Sequence, residues 1–308
     1  MAKSYLILVF CVFIWALNYI VRQILLREFS PLFLSAFSLT VVSFTFLIWA
    51  FVTKSFVKLT RKEIVFFLLS AVIGLIANQI LLFKGLERTS ATNASLIFTL
   101  SPLITAGLAA VFLKEKITWR MVAGCLVAIT GIVQALNMQG LLFSTGDWIM
   151  LGATFTFSCN LIFARVLSRR LSPFIVTVYS FMISAVIFDP FILSVIKMDW
   201  NHSIGIWGLA IVSVIVGQGI TGVMWNKGME SIGAARAAIV LNLQPLMTML
   251  LEFLIFHHLV AYQQVFGAIL VFIGVLIGTM QKGFFTQKQK EKRGIIYGQQ
   301  RKKTSKYF

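Results

Sequence analysis

The side chains that could do chemistry in this chain are few, and they stand inside apolar sequence. Trp15, Asn18, Tyr19 and Arg22 fall at i, i+3, i+4 and i+7, one face of a helix. Asn160, the pair Asn78-Gln79, and the set Gln218, Thr221 and Trp225 lie in comparable apolar runs, the last three again on one face. Thr99 and Ser101 flank Pro102, and Asn242 and Gln244 flank Pro245. The charged candidates within apolar runs are Glu252, Asp189 (just before Pro190) and Arg236. In hydrocarbon an unsatisfied polar group costs several kcal/mol, so each of these must face protein or a wet cavity. That chemistry is recognition and charge pairing. The bond-making patterns are missing: no HExxH, no paired aspartates, no serine/histidine constellation, which argues against a membrane-embedded enzyme. His257-His258 alone lacks the further ligands a metal site needs. No catalytic residue, metal or cofactor is expected.

The elements that must position these residues follow from hydropathy. Of 308 residues, 59% are hydrophobic, with mean hydropathy +0.91, against about 45–50% apolar in a soluble protein. Apolar runs of about 17–25 residues, each long enough to cross the hydrocarbon of a bilayer, recur from one end to the other. They predict an all-α integral membrane protein of ten transmembrane helices, near 5–21, 31–51, 64–83, 91–112, 121–136, 148–167, 173–196, 204–224, 235–256 and 265–280. Ser30-Pro31 and Ser172-Pro173 open the second and seventh, a serine N-cap followed by proline at the first helical position. The first run is kept as a helix because Trp15-Ala16-Leu17-Asn18 is a poor signal cleavage region. Cys11, Cys125 and Cys159 lie inside apolar runs without CxxC spacing and read as free thiols packed as small hydrophobes.

The chain also repeats itself. Lys84-Gly85-Leu86-Glu87, running on to Leu100-Ser101-Pro102-Leu103, returns as Lys227-Gly228-Met229-Glu230, running on to Leu243-Gln244-Pro245-Leu246, always 143 positions later. The register continues through Thr105/Thr248, Gly124/Gly267 and Gly131/Gly274. Asn18/Asn160 and Ser30/Ser172 are 142 apart, so one inserted residue reconciles the two offsets. Residues 1–140 and 141–281 are therefore two five-helix repeats, and an odd number of helices inverts one against the other. Asn78 and Thr221 occupy equivalent places, and recurring polar groups at pseudo-symmetric sites are what a midplane cavity between repeats would give. The small residues Gly124, Ala128 and Gly131, with Gly267 and Gly274, suit close helix packing, within the bundle or in a homodimer.

Charge orients the bundle. Lys54, Lys58, Arg61 and Lys62, then Lys114, Lys116 and Arg120, then Arg165, Arg169 and Arg170 mark alternate loops, while the loops after helices five, seven and nine are charge-poor, with Asp147 alone, Lys197 with Asp199, and His257-His258. The positive-inside rule puts both termini in the cytoplasm of a plasma-membrane protein. Residues 282–308 form a basic tail, expected to be disordered beside anionic headgroups. The net charge of +17 sits in loops and tail, not on one aromatic-lined face, so no nucleic-acid partner is expected.

The ordered set Gly85-Leu86-Glu87-Arg88-Thr89-Ser90-Ala91-Thr92-Asn93-Ala94-Ser95-Leu96, Pro102, Leu113-Lys114-Glu115-Lys116, Gly124 and Gly131 resembles the ten-helix, EamA-type permeases of the drug/metabolite transporter superfamily. The resemblance spans residues 5–280. His258 departs from it, standing where the pattern has an acid (Glu115 in the first copy). It implies inverted halves around a central cavity and an alternating-access permease, in most members an exporter of amino acids, drugs or other small metabolites.

Two roles stay open for the polar set. Trp15, Asn18, Tyr19, Asn78, Gln79, Thr99, Ser101, Asn160, Gln218, Thr221, Asn242 and Gln244 either contact a small-molecule substrate or hold helices together. Glu252, Asp189 and Arg236 are the candidates for coupling or charge pairing, and Pro102 and Pro245 for hinges, in a mechanism that rocks one five-helix half against the other. The rival function is a scaffold or sensor acting through the basic tail. Deleting 282–308 separates the two: a transporter keeps its flux, and a tail-driven scaffold loses its activity.

Overall fold

The computed structural model describes residues 2–54, 56–113, 119–136, 144–195, 200–222, 224–225, 228, 240, 243–257 and 261–279. They form α1 (Ala2–Leu25), α2 (Pro31–Val52), α3 (Arg61–Leu86), α4 (Ala91–Phe112), α5 (Trp119–Leu136), α6 (Thr145–Leu167), α7 (Pro173–Val195), α8 (Ile204–Ile220), α9 (Gln244–Phe256) and α10 (Tyr262–Thr279). α1–α4, α6 and α7 are long and apolar enough to cross a membrane, and the other four carry shorter apolar stretches. Arg236, Asn242, Lys114, Lys116, His258, Lys227, Glu230 and the tail lie outside the described residues.

Helix starts follow the local chemistry. Ser30, Ser90 and Ser203 each accept a backbone N–H of the first turn, and Thr60/Glu63 and Ser144/Asp147 form reciprocal capping boxes. α4 breaks at Thr99-Leu100 and restarts with Ser101, so that Pro102 sits in a first turn, where its missing N–H costs nothing. Pro245 occupies the same place at the described start of α9.

Two departures from regular α-helix are not expected from hydropathy. Ser70–Ala77 in α3 and Ile215–Ile220 in α8 are π-helical. Ser70 and Ser213, and Gly74 and Gly217, are related by the repeat offset of 143, so the two wide turns are copies of one feature.

The repeats interlock. Each of the eight hydrophobic clusters among the described residues draws side chains from both. α6 lies in the first repeat's territory, against α3 and α4, while α1 lies against α8 and α9. The core is therefore interleaved, and one five-helix half parting from the other would open all eight clusters.

The pseudo-symmetry reaches single contacts. Leu25, Phe29, Leu34 and Ala210 form one cluster; their equivalents Leu167, Leu171, Val176 and Phe67 form another at the opposite end. Beside the first, His202 Nδ1 lies 3.4 Å from Glu28 Oε2. Beside the second, Arg170, the equivalent of Glu28, donates from Nη2 to Glu63 Oε2 at 2.6 Å and to the Lys58 carbonyl at 3.0 Å. The α5–α10 seam is the closest approach. A Cβ on Gly131 would stand 2.7 Å from the Gly267 carbonyl oxygen, and one on Gly267 2.5 Å from that of Gly131. These small residues therefore pack within one chain.

Gly267→Leu should cost about 1–3 kcal/mol by overpacking this seam and lower Tm in detergent. Gly107→Ala, whose Cβ would meet nothing within 4 Å, should leave Tm unchanged.

Candidate functional site

The polar residues of the bundle centre divide into those whose hydrogen bonds are spent and those whose bonds are not. A π turn disturbs the helical ladder and leaves carbonyls in need of donors. α1 supplies them to α8. Asn18 Nδ2 donates to the Ser213 carbonyl at 2.7 Å, and Trp15 Nε1 to the Gly217 carbonyl at 2.8 Å. α6 meets α3 at the equivalent place with the opposite polarity: Ser70 Oγ, at the start of the π stretch, donates to Asn160 Oδ1 at 2.7 Å. A Cβ on Gly217 would run into Asn18, and one on Gly74 into Asn160, so each asparagine fits only because glycine faces it. Asn18 and Asn160 thus act first as clamps on the wide turns. Nothing in hydropathy points to Ser70, Gly74, Ser213 and Gly217; the 143-residue offset is the signal that finds them.

Several other members are satisfied locally. Asn78 Nδ2 donates to the Ala153 carbonyl at 2.7 Å, joining α3 to α6. Thr221 Oγ1 donates to the Val216 carbonyl. Thr99 Oγ1 donates to the Ser95 carbonyl at 2.9 Å. The Ser101 carbonyl accepts from Ser158 Oγ at 3.2 Å, and that of Gln244, a buried residue, from Thr248 Oγ1 at 2.9 Å.

Among the described residues the unspent groups are amides and a hydroxyl on α3, α4 and α8, and one amide oxygen, Gln263 Oε1, at the start of α10. Gln79 is 6% exposed and its Oε1 has no partner among the described residues; the same holds for Gln218 Nε2, Asn93 Oδ1 and Thr105 Oγ1. Gln79 shares a helical face with Leu82 and Leu86, which pack with Tyr19, Ala94, Ile97 and Leu251 where α1, α3, α4 and α9 meet. Gln218 lies inside the π turn of α8, and further along the chain the Trp225 ring centroid is 4.9 Å from that of Trp15.

The two carboxylates are far apart in role. Glu252 is 4% exposed and accepts the Thr92 N–H at 2.9 Å in the first turn of α4. Asp189 accepts from Thr40 Oγ1 at 2.9 Å in the α2–α7 seam. α7 packs on α2 and α3, so Asp189 lies in that seam, outside the cluster of Tyr19, Leu82, Ala94 and Leu251. Arg22 lies over the Phe83 ring, 5.2 Å from its centroid.

This geometry, polar groups paired across inverted repeats, meets its match in sequence comparison. The EamA-like transporter family fits the chain twice, over residues 2–136 and 144–280. The chain belongs to the EamA-like transporter family. The family is one of transporters, not enzymes, and its helices make this a multi-pass membrane protein. Among relatives, the chain is 31% identical over 226 residues to the uncharacterized transporter YyaM of Bacillus subtilis, covering 70% of this chain and 73% of that one. It is 40% identical over 81 residues to the "Probable terminal-alkyne amino-acid exporter" of Streptantibioticus cattleyicolor, a match of 26% of this chain and 27% of that one. A solved crystal structure shares the fold with TM-score 0.65 at 16% identity, over 91% of this chain and 97% of the other.

If each asparagine and its glycine form one unit, Gly217→Ala and Asn18→Ala will not add. Asn18→Ala should cost about 0.6–2 kcal/mol as a lost interhelical hydrogen bond. In its background Gly217→Ala should cost less than in the parent, and a double-mutant cycle of detergent stability reads the difference.

Proposed function

We propose that this chain is a secondary transporter that exports small amphipathic metabolites, amino acids among them, by alternating access to a site at the bundle centre. The observation that carries the reading is the pair of unspent amides, Gln79 on α3, two residues past one π turn, and Gln218 on α8, inside the other, on helices equivalent in the two repeats. A polar group in such a place needs a polar partner, and substrate or cavity water supplies one. Trp15, Trp225 and Tyr19 give an apolar part of the substrate a wall, the combination expected of a small-molecule site. The short match to an amino-acid exporter points to the same class. The moving bodies are mixed: α1, α8 and α9 on one side, α3, α4 and α6 on the other, with the breaks at Pro102 and Pro245 as hinges. The end bearing the 2–3, 4–5 and 6–7 connections is cytoplasmic, because their Lys and Arg residues are retained inside.

Untargeted profiling of the medium of overproducing cells tests this, with a Gln79→Leu/Gln218→Leu variant at equal membrane abundance as control. A metabolite enriched at least tenfold by the parent and not by the variant is the expected result. Equal enrichment would remove the two amides from the site, and no enrichment would count against export. For orientation, a fluorescent protein fused at the C-terminus should fluoresce and alkaline phosphatase fused there should be inactive.

A further inference from the structure

On the export reading above, the molecule carried must suit the groups that α1 and α3 present to each other toward the outer end of the bundle. Arg22 on α1 lies over the ring of Phe83, a buried residue of α3, 5.2 Å from its centroid. Gln79, one turn deeper on α3, is 6% exposed, and its Oε1 has no partner among the described residues. We infer that Arg22 and Gln79 form an α-amino-acid site, in which the guanidinium takes the carboxylate of the exported molecule and the Gln79 oxygen its ammonium.

A guanidinium in this place needs an anion, because a charge within an apolar helix is costly unless paired. The described carboxylates of this end are engaged by other groups. Glu28 Oε2 faces His202, Glu87 faces Arg88, Asp147 accepts from Thr89 Oγ1, and Glu252 accepts the Thr92 N–H. The Arg22 side chain makes no hydrogen bond or ion pair with a described residue. An aromatic ring attracts the cation without taking up an N–H, so the planar fork stays available to a carboxylate, which it holds by two parallel hydrogen bonds. Side chains on a helix lean toward its N-terminus, and α1 runs toward the outer end on that reading. Arg22 therefore leans back toward the bundle centre, over Phe83, and does not snorkel outward.

Spacing and polarity agree with one ligand class. Phe83 follows Gln79 by four residues in the regular α-helix Asn78–Leu86, so the two share a face about 6 Å apart along the axis. A molecule with ammonium and carboxylate on neighbouring carbons spans that interval with a hydrogen bond at each end. The Gln79 oxygen lacks a donor and the Arg22 fork lacks an acceptor, which are the two things a zwitterion supplies. The pair is also absent from the second repeat. Asn18 returns there as Asn160, whereas the equivalents of Arg22 and Gln79 are Ala164 and Gly222, so neither group is one that the fold needs twice. A Cβ on Gly222 would meet nothing within 4 Å; where one repeat carries the amide, the other leaves room.

The test is binding to the full chain in lipid nanodiscs. An equimolar pool of the tritium-labelled protein amino acids is bound, then displaced by the unlabelled acids, by their carboxamides or by their N-acetyl derivatives. The acids should displace label at concentrations about tenfold lower than either derivative, the loss expected for one charge-assisted contact. Arg22→Gln should bring acids and carboxamides within about twofold of each other and keep the preference over N-acetyl forms. Gln79→Leu should do the converse. Each ratio compares ligands on one protein, so a general loosening of the bundle leaves it unmoved. If Arg22→Gln does not fold, Arg22→Lys, which keeps the charge without the fork, should show a reduced preference for acids. If Arg22→Gln folds and binds nothing, the site stands only where Arg22→Lys restores binding. A parent that binds no amino acid, or that treats acids and carboxamides alike, overturns the site, as does an Arg22→Gln variant with the parent's ratio. Binding is read without flux. A chain that binds in this way and exports nothing loses only the export reading, and one that exports molecules without a carboxylate loses only this site.

Discussion

A polar side chain from one helix set against the widened turn of another holds the centre of this bundle together. The π turns of α3 and α8 put carbonyls and glycines where a neighbouring helix can reach them, and Asn18, Trp15 and Asn160 occupy those places. Without Asn18 and Trp15 two carbonyls at the wide turn of α8 would lose their donors in a lipid-surrounded core, and without Asn160 the Ser70 hydroxyl would lose this acceptor. Without the glycines the asparagines would not fit. Each of the two clamps joins a helix of one repeat to a helix of the other, so the same interaction that shapes the site also ties the repeats together.

That arrangement assigns different work to residues that look alike in sequence. Asn18 and Gln79 are both amides within apolar helices, yet Asn18 is occupied by a carbonyl of α8 while the Gln79 oxygen has no protein partner among the described residues. Amides already committed to the scaffold keep their geometry when a ligand arrives. Uncommitted ones can exchange water for a ligand. Trp15 is committed in the same way as Asn18, its N–H held by the Gly217 carbonyl while its ring packs with that of Trp225.

Much of this fold was legible in the sequence, for physical reasons. Serine and threonine caps, the apolar runs and the fixed offset of 143 gave ten helices and an inverted duplication. The equivalence of Asn18 and Asn160 was visible in the same way. The partners were not. An offset relates a residue to its copy and carries no information about which repeat's helix will lie against it, so the exchange of α1 and α6 between the repeats had no signature. Ser70 and Gly74 read as ordinary small residues of an apolar helix, and only a facing asparagine gives them a role. The Thr92 N–H that Glu252 engages is a backbone group, which every residue but proline has. Glu252 could be singled out as a buried carboxylate, but its partner could not.

The mixing of both repeats in every hydrophobic cluster also constrains how the protein is made. Trp15 enters the bilayer 202 residues ahead of the carbonyl it will bind, and Asn18 195 residues ahead of its own. During synthesis the first five helices lack the surfaces they pack against, and their polar groups lack their permanent partners. The native contacts are of high sequence separation, a topology that folds slowly because long loops must close before they are rewarded. The nascent first repeat therefore depends on transient partners, among them water, translocon or its own helices, until α6 and α8 arrive. Biogenesis of this chain is an assembly completed late, in which the second repeat finishes the first.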